Sequence, residues 1–310
     1  MEIGRRSFIK YALSATASIS IGHLSSLDAA ENGMPYRKLG TTGEKVSLLT
    51  LGGHHVGQPS TDKEAIKIMR TAIENGVNFF DNAWTYHNGR SERRMGKALQ
   101  DGYRDQVFLM TKVYARTPGR AKQQLQDSLE RLQVDTIDLW QIHSVGEMSS
   151  VDQIYNSGML EFMEEKRKEG TIRYIGFTGH DHPRPHRAMI ERGFDWDTVQ
   201  MPINPLDYHY RSFTKQILPL ARKNDIGVTA MKTLAAGEIP SNGLVSAAKC
   251  HRYVMSLPVS TVCIGMETMD VLEQNLHTIK KKEPMGEKNI EELLRTTKPL
   301  ARGGKHEHYK

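Results

Sequence analysis

Cysteine is nearly missing: the 310 residues hold only Cys250 and Cys263. Neither stands in a C-x-x-C or other metal-ligand spacing, so a Cys-ligated metal site and an iron–sulfur cluster on Cys ligands drop out. Each lies in an apolar segment, where a free thiol is usually buried, and whether the two pair outside the cytoplasm is open at the level of sequence. An excess of one charge is also missing. The 42 Lys and Arg stand against 36 Asp and Glu, interspersed through the body, and part of the net +6 belongs to the first ten residues. Nothing marks a nucleic-acid face. From residue 45 onward there is no break in composition and no linker, and the 38% hydrophobic content is enough for a real core, which points to one large α/β domain. Long hydrophobic runs are absent too: the uncharged stretch YALSATASISIG falls short of the about 20 apolar residues of a spanning helix.

That stretch follows MEIGRRSFIK, in which Arg5 and Arg6 precede Phe8, Ile9 and Lys10. A charged n-region followed by a short apolar h-region has the layout of an export signal and lies outside the fold. The pattern resembles a twin-arginine signal, with Gly4 where Ser or Thr is usual and Ile9 where Leu is usual. The resemblance implies the twin-arginine export machinery as a partner and passage of an already folded chain. No A-x-A stands near the end of this segment, where Asp28, Ala29 and Ala30 are the nearest candidates for cleavage. The expectation is a signal over 1–30 and a protein in the periplasm, or tethered to the outer side of the inner membrane by an uncleaved segment.

What is present is a rhythm. Eight short apolar runs, KVSLLTLGG, VNFFDNA, QVFLMTKV, TIDLWQIHS, IRYIGFTG, TVQMPIN, GVTAMKTL and STVCIGM, alternate with amphipathic stretches such as KEAIKIMRTAIENG, RAKQQLQDSLERL and MDVLEQNLHTIKKK. Strict strand–helix alternation predicts a parallel sheet buried on both faces, and eight units close into a (β/α)8 TIM barrel, here over 31–302. YRKLGTTGEK, with Gly40 and Gly43, predicts an N-terminal β-hairpin plugging the barrel bottom. IYNSGMLEFMEEKRKEG is expected as one helix, VGEMSSVDQIYNSG as the longest specificity loop, and the polar tail 303–310 as a frayed end.

The chemistry-bearing residues gather at strand ends: Gly53 and His54, Asp81, Lys112, His143, Thr178, Met231 and Lys232, and Gly265. In a (β/α)8 barrel those ends build one mouth. Asp81 and Tyr86 in DNAWTY, Lys112 ending VFLMTK and His143 ending LWQIH resemble the tetrad of the aldo-keto reductase family, over nearly all of the chain after the signal. The resemblance implies hydride transfer between a nicotinamide dinucleotide, NAD or NADP, and a carbonyl or alcohol of an aldehyde, ketone or sugar. The residue types suit that chemistry. A developing alkoxide needs a proton, and a phenol with a pKa of about 10 is a weak acid unless a cation stabilises its phenolate. Tyr86 would be the general acid/base, Lys112 its cation, Asp81 the partner holding Lys112, and His143 the hydrogen-bonding guide for the substrate oxygen.

The resemblance also implies cofactor contacts. Gln200 in TVQMP would hold the nicotinamide carboxamide, Thr178 matches a hydroxyl residue of the family, and Met231 stands where a stacking Tyr is common. Lys232 would reach the pyrophosphate, and Gly265, Met266, Glu267 and Asn275 the adenosine end, with Gly53, His54 and Asp81 lining the first strands. Gly179 replaces a family Asn, which shifts that amide contact toward His180. With Glu267 and no Arg or Lys in that loop, NAD(H) is expected to bind at least as well as NADP(H), unless Lys280 to Lys282 reach round. Three further readings stand open. A barrel that keeps its dinucleotide without turnover would be a sensor or binding subunit. His180, His182 and His186, with His54 and His55, invite a metal-dependent hydrolase, although no strand-borne H-x-H accompanies them and the tetrad reading assigns no metal. Trp84, Tyr114 or Tyr208 offer a stacking surface for sugars or aromatics.

Overall fold

The computed structural model describes residues 28–29 and 33–310. The arginine-led segment and its export reading lie outside the described residues, except for Asp28 and Ala29. Those two form β1, antiparallel to β2 (Pro35–Lys38), which pairs in turn with β3 (Lys45–Ser47). The expected hairpin is therefore present. Its turn passes through Gly40 and Gly43 at φ 57° and 81°, and a Cβ on Gly40 would lie 2.5 Å from the Gly227 nitrogen, so this turn needs glycine twice over.

The hairpin closes the bottom of an eight-stranded parallel barrel built from β4 (Leu49–Gly52), β5 (Phe79–Asp81), β6 (Phe108–Val113), β7 (Ile137–Ile142), β8 (Ile172–Thr178), β9 (Thr198–Pro202), β10 (Gly227–Met231) and β11 (Thr261–Gly265). β11 returns to β4 with Val262 opposite Leu49, which shuts the cylinder. Leu39 and Val46 of the hairpin enter a buried cluster with Phe79, Phe108, Met110 and Leu139. Arg37, itself buried, fastens the hairpin by donating to the carbonyls of Met255, Leu257 and Val259 at 2.7 to 3.1 Å. All residues of β4, β6, β7 and β9 are buried, as strands covered on both faces must be.

Helices occupy the expected connections. Helix Asp62–Glu74 starts on a capping box between Thr61 and Glu64, and helix Met269–Lys280 on the Thr268 hydroxyl. Among the described residues no helix is long and apolar enough to cross a membrane. Four expectations are corrected. KVSLLTLGG is two strands that break at Leu48, because the Ser47 hydroxyl turns inward to the Leu49 carbonyl (2.6 Å) as the chain passes from hairpin to barrel wall. The predicted long loop after His143 is largely helix Met148–Asn156, and Gly158 at φ 81° separates it from helix Met159–Lys168, so the expected single helix is two. The C-terminal tail does not fray: Glu307 is buried, and the Lys310 side chain, fully buried, pairs with Asp207 (2.7 Å) and Glu307 (3.0 Å). A polar composition conceals such a cluster because each buried charge is satisfied by another.

Candidate active site

The four tetrad residues meet at the carboxyl end of the barrel. Asp81 ends β5, Lys112 is the penultimate residue of β6, and His143 follows β7 directly. Tyr86 opens the turn Tyr86–Gly89, whose His87 and Asn88 take φ of 48° and 54°, a left-handed pair that is sterically costly outside glycine. The His87 ring nitrogen Nε2 lies 2.8 Å from the His54 carbonyl and holds this turn against the end of β4.

Lys112 Nζ donates to Asp81 Oδ1, to the Asn82 carbonyl (2.8 Å) and to Tyr86 Oη (3.3 Å). Asp81 and Lys112 are only 3% and 1% exposed, so this is a desolvated pair whose spare valences must be filled by neighbours. Asp81 Oδ2 accepts from Gln200 Nε2 at 3.0 Å and from the Cys263 thiol at 3.1 Å. The His143 ring stands edge-on to Tyr86 with centroids 5.7 Å apart, and its Nδ1 lies 3.4 Å from Thr85 Oγ1. His54 presents its ring to Tyr86 from another side at 5.3 Å.

Burial pushes the Tyr86 phenol up to about 12; Lys112 pulls the other way and Asp81 adds to the rise. A neighbouring cation lowers a phenol's pKa, but in the folded site burial outweighs Lys112, whose effect Asp81 partly offsets. Burial opposes the ammonium of Lys112 as well, yet Asp81 and Tyr86 hold its pKa above the ordinary value. Burial, with Lys112 and Arg116 nearby, takes His143 well below the usual imidazole range. At neutral pH the site therefore holds a neutral phenol, an ammonium, and an imidazole without charge, an arrangement that donates a proton to a nascent oxyanion and has no strong base of its own.

A model of the Aldo/keto reductase family matches residues 48–249, from the entrance of β4 to beyond β10. The chain belongs to the aldo/keto reductase family. Among its relatives is the uncharacterized oxidoreductase YrpG of Bacillus subtilis, 32% identical over 69% of this chain and 71% of that one. The L-galactose dehydrogenase of Arabidopsis thaliana is 27% identical over 81% of this chain and 89% of its own length. Among solved structures, the holo form of an aldo-keto reductase from Bacillus halodurans superposes with a TM-score of 0.74 at 24% identity, covering 85% and 96% of the two chains. A Klebsiella pneumoniae aldo-keto reductase in complex with NADPH gives 0.70 at 21%, covering 84% and 95%. This aldo/keto reductase is accordingly an oxidoreductase on a (β/α)8 barrel.

The residues expected at its cofactor side are placed as follows. Thr178 is buried at the end of β8 and Gln200 in the middle of β9, while Met231 ends β10 half-exposed and Lys232 follows at φ 53°. Gly53 is required by packing, since a Cβ there would collide with the Asp81 carbonyl, and Gly265 likewise makes room for the His55 ring. Met266 is buried in the core, Glu267 faces His55 closely enough to affect it, and Asn275 Nδ2 lies 3.5 Å from the Gly265 carbonyl, tying helix to strand end. Lys280 is spent on Asn75 (2.9 Å). The histidines of GHDHPRPH separate: His182 caps helix Pro183–Glu191, His186 is buried between Phe177 and Phe213, and His180 Nδ1 lies 2.6 Å from the Tyr309 carbonyl. Among the described residues no three His, Cys, Asp or Glu are grouped to hold a metal ion.

Three participants escaped the sequence reading. Cys263 is half-buried rather than buried, sits opposite Thr50 and donates its thiol to Asp81. Burial and the Asp81 charge raise its pKa well above the ordinary value, so it stays a thiol and donates. The tail brings Tyr309 to the mouth, where its hydroxyl accepts from Asn204 (2.9 Å) and its ring lies 5.2 Å from Lys232 Nζ. Arg116 donates to the His143 carbonyl and so holds the backbone at the tetrad histidine. No strand-end position marked them: Cys263 lies in the middle of β11, Arg116 three residues beyond β6 and Tyr309 in the tail.

Proposed function

We propose that this aldo/keto reductase moves a hydride between NAD or NADP and a carbonyl or alcohol of a sugar-like, hydroxyl-rich substrate, with Tyr86 as general acid/base. The observation that carries the reading is Lys112 Nζ at 3.3 Å from Tyr86 Oη inside the buried pair with Asp81. A non-catalytic binding subunit has no need to keep this costly arrangement. The sugar reading is supported by the L-galactose dehydrogenase among its relatives and by the histidines that surround Tyr86.

The residues present fit a nicotinamide. Gln200 must turn Nε2 to the Asp81 carboxylate, and this leaves Oε1 buried without a partner in the protein, an acceptor suited to a carboxamide N–H. Thr178, Lys232 and Asn275 would hold the rest of the dinucleotide. When bound, that group supplies or takes up the hydride. His143, uncharged, orients the substrate oxygen by a hydrogen bond; Tyr86 gives the proton in reduction and takes it in oxidation; Lys112 stabilises the phenolate, and Asp81 keeps Lys112 in place. Since Glu267 faces this region, NAD(H) binds at least as well as NADP(H). Mixing the protein with NADH or NADPH and a panel of sugars and aldehydes should consume nucleotide, and a panel that leaves its absorbance unchanged would defeat the reading.

We propose further that the chain is exported in a folded state. A twin-arginine route would carry the folded barrel across the membrane with its dinucleotide already bound, where free nucleotide is too dilute to refill it. The bound molecule would then be recycled by a second substrate. Protein from the exported fraction, once denatured, should release near-stoichiometric NAD(P); an empty barrel that exchanges cofactor freely would refute this.

A further inference from the structure

Beside the tetrad, on the far side of His143 from Tyr86, lies a cleft of about 560 Å³ between the segments that follow β6, β7 and β8. That is the size of a small-molecule site. Tyr114 stands at its edge, 6.4 Å from the His143 ring and 54% exposed, one of two large apolar side chains so exposed among the described residues. It is also held rigidly. Gln124 Oε1 accepts from the backbone of Tyr114 and Ala115 at 2.9 and 3.0 Å. Arg116 lies behind the ring at 5.5 Å and donates to the carbonyls of Tyr114 (2.7 Å), Ala115, His143 and Ser144 and to Ser150 Oγ (2.8 Å). A fixed, exposed aromatic ring is a preorganised platform. Of the aromatics expected to offer a stacking surface, the other two are engaged elsewhere: Trp84 with Asp127 and Arg131, Tyr208 with Lys215.

The rest of the lining defines the ligand. Glu147 and Asp181 bring two carboxylates, and Ser149 and Gln153 bring neutral hydrogen-bonding groups. Gly146 lets Asp181 approach, since a Cβ there would lie 2.7 Å from its Oδ2. Arg116 is the cleft's one Arg or Lys, and its donors are consumed by carbonyls and by Ser150 Oγ. A phosphate or carboxylate would meet two like charges, and the His180 ring in the lining is already turned to the Tyr309 carbonyl (2.6 Å) and to Asp181 (3.5 Å). A neutral ligand that lays C–H groups on an aromatic face and donates hydroxyls to carboxylates fits every wall, and that is a carbohydrate ring.

We propose that this cleft binds a second sugar ring, so that the substrate is a disaccharide or glycoside whose reacting ring sits at Tyr86 and whose neighbouring ring rests on Tyr114. The proposal deepens the sugar reading above and rests on it for the reacting ring. The test uses the Tyr86→Phe protein saturated with NAD or NADP, so that sugars bind without turnover, and measures affinities by NMR for glucose, galactose, cellobiose, lactose, maltose and glucose 6-phosphate. At least one disaccharide should bind tenfold or more tighter than its component monosaccharide, and adding the exposed Tyr114→Ala should erase that ratio. Equal affinities, tighter binding of the sugar phosphate, or a Tyr114→Ala loss shared equally by mono- and disaccharide would overturn the cleft. Turnover by the unmodified enzyme is read separately: a Tyr114-dependent disaccharide preference without oxidation or reduction of any sugar would keep the cleft and refute the sugar reaction.

Discussion

At the bottom of the barrel, Leu39 and Val46 lie against Phe79, Phe108, Met110 and Leu139, with only the Tyr174 ring at the margin of the cluster. At the top, the buried carboxylate of Asp81 and ammonium of Lys112 bond to the half-buried phenol of Tyr86 and thiol of Cys263, and the ring of His143 abuts them. The first cluster gains from every apolar contact. The second is retained against the desolvation cost of its charges, which its hydrogen bonds only offset. One end of the cylinder therefore carries stability and the other carries chemistry, and substitutions at the two ends should have separable effects.

The sharpest break in that comparison is Tyr86→Phe. Loss of the proton donor should lower turnover by about 10²- to 10⁴-fold, while Lys112 keeps Asp81 and the Asn82 carbonyl as partners. Stability should shift by no more than about 1 kcal/mol. Steady-state rates and thermal melts on the same preparation check both halves. Leu39→Ala is the mirror experiment: it should cost about 2–5 kcal/mol of stability through the cavity it leaves and spare kcat/KM at temperatures where the protein remains folded. A denaturant titration with unchanged kinetics is the expected pairing, and a kinetic loss as large as that of Tyr86→Phe would show that the two ends are not separable.

A smaller effect sharpens the picture through pH. Burial takes His186 down to about 3, so between that value and the ordinary imidazole pKa the unfolded chain binds a proton that the folded chain refuses. The stability contributed by keeping His186 neutral is complete above about pH 6.5 and falls as pH drops through this window, by about 1.4 kcal/mol per unit at most. His186→Phe should flatten the dependence of melting temperature on pH between 5 and 7, and an unaltered slope would count against a neutral buried imidazole. The smallest effect is expected at the tail. Lys310→Met leaves Asp207 and Glu307 without their cation, and the tail can relieve this by undocking. Limited proteolysis followed by mass spectrometry should then clip the last residues of the variant and spare those of the parent.

The sequence made the barrel and the tetrad legible for the same reason. Parallel strands buried on both faces read as apolar runs, and a polar residue that ends such a run stands out, as Asp81, Lys112 and His143 do. Cys263 did not stand out because its strand has no polar and apolar alternation to tell the inner face from the outer. Glu147 gave no cap signal, and its side chain makes no cap bond to the helix it precedes, so the segment after His143 read as loop. The tail was misread because its order depends on Asp207, about a hundred residues away, and pairing at that distance leaves no local trace. The sign of the Tyr86 shift was hidden as well, since burial is a property of the fold and not of the motif.

The account's central claim is that Tyr86, kept neutral by burial, exchanges the proton that accompanies hydride transfer. The most direct test follows kcat/KM against pH in both directions, with deuterium on the nicotinamide to confirm transfer into the substrate. With a phenol near 12, reduction should stay flat from neutral pH to above about 9, whereas oxidation, which needs the phenolate, should rise about tenfold per pH unit across the same range. A reduction rate that falls with a midpoint near pH 7, or deuterium transfer that survives Tyr86→Phe at most of its rate, would contradict the claim.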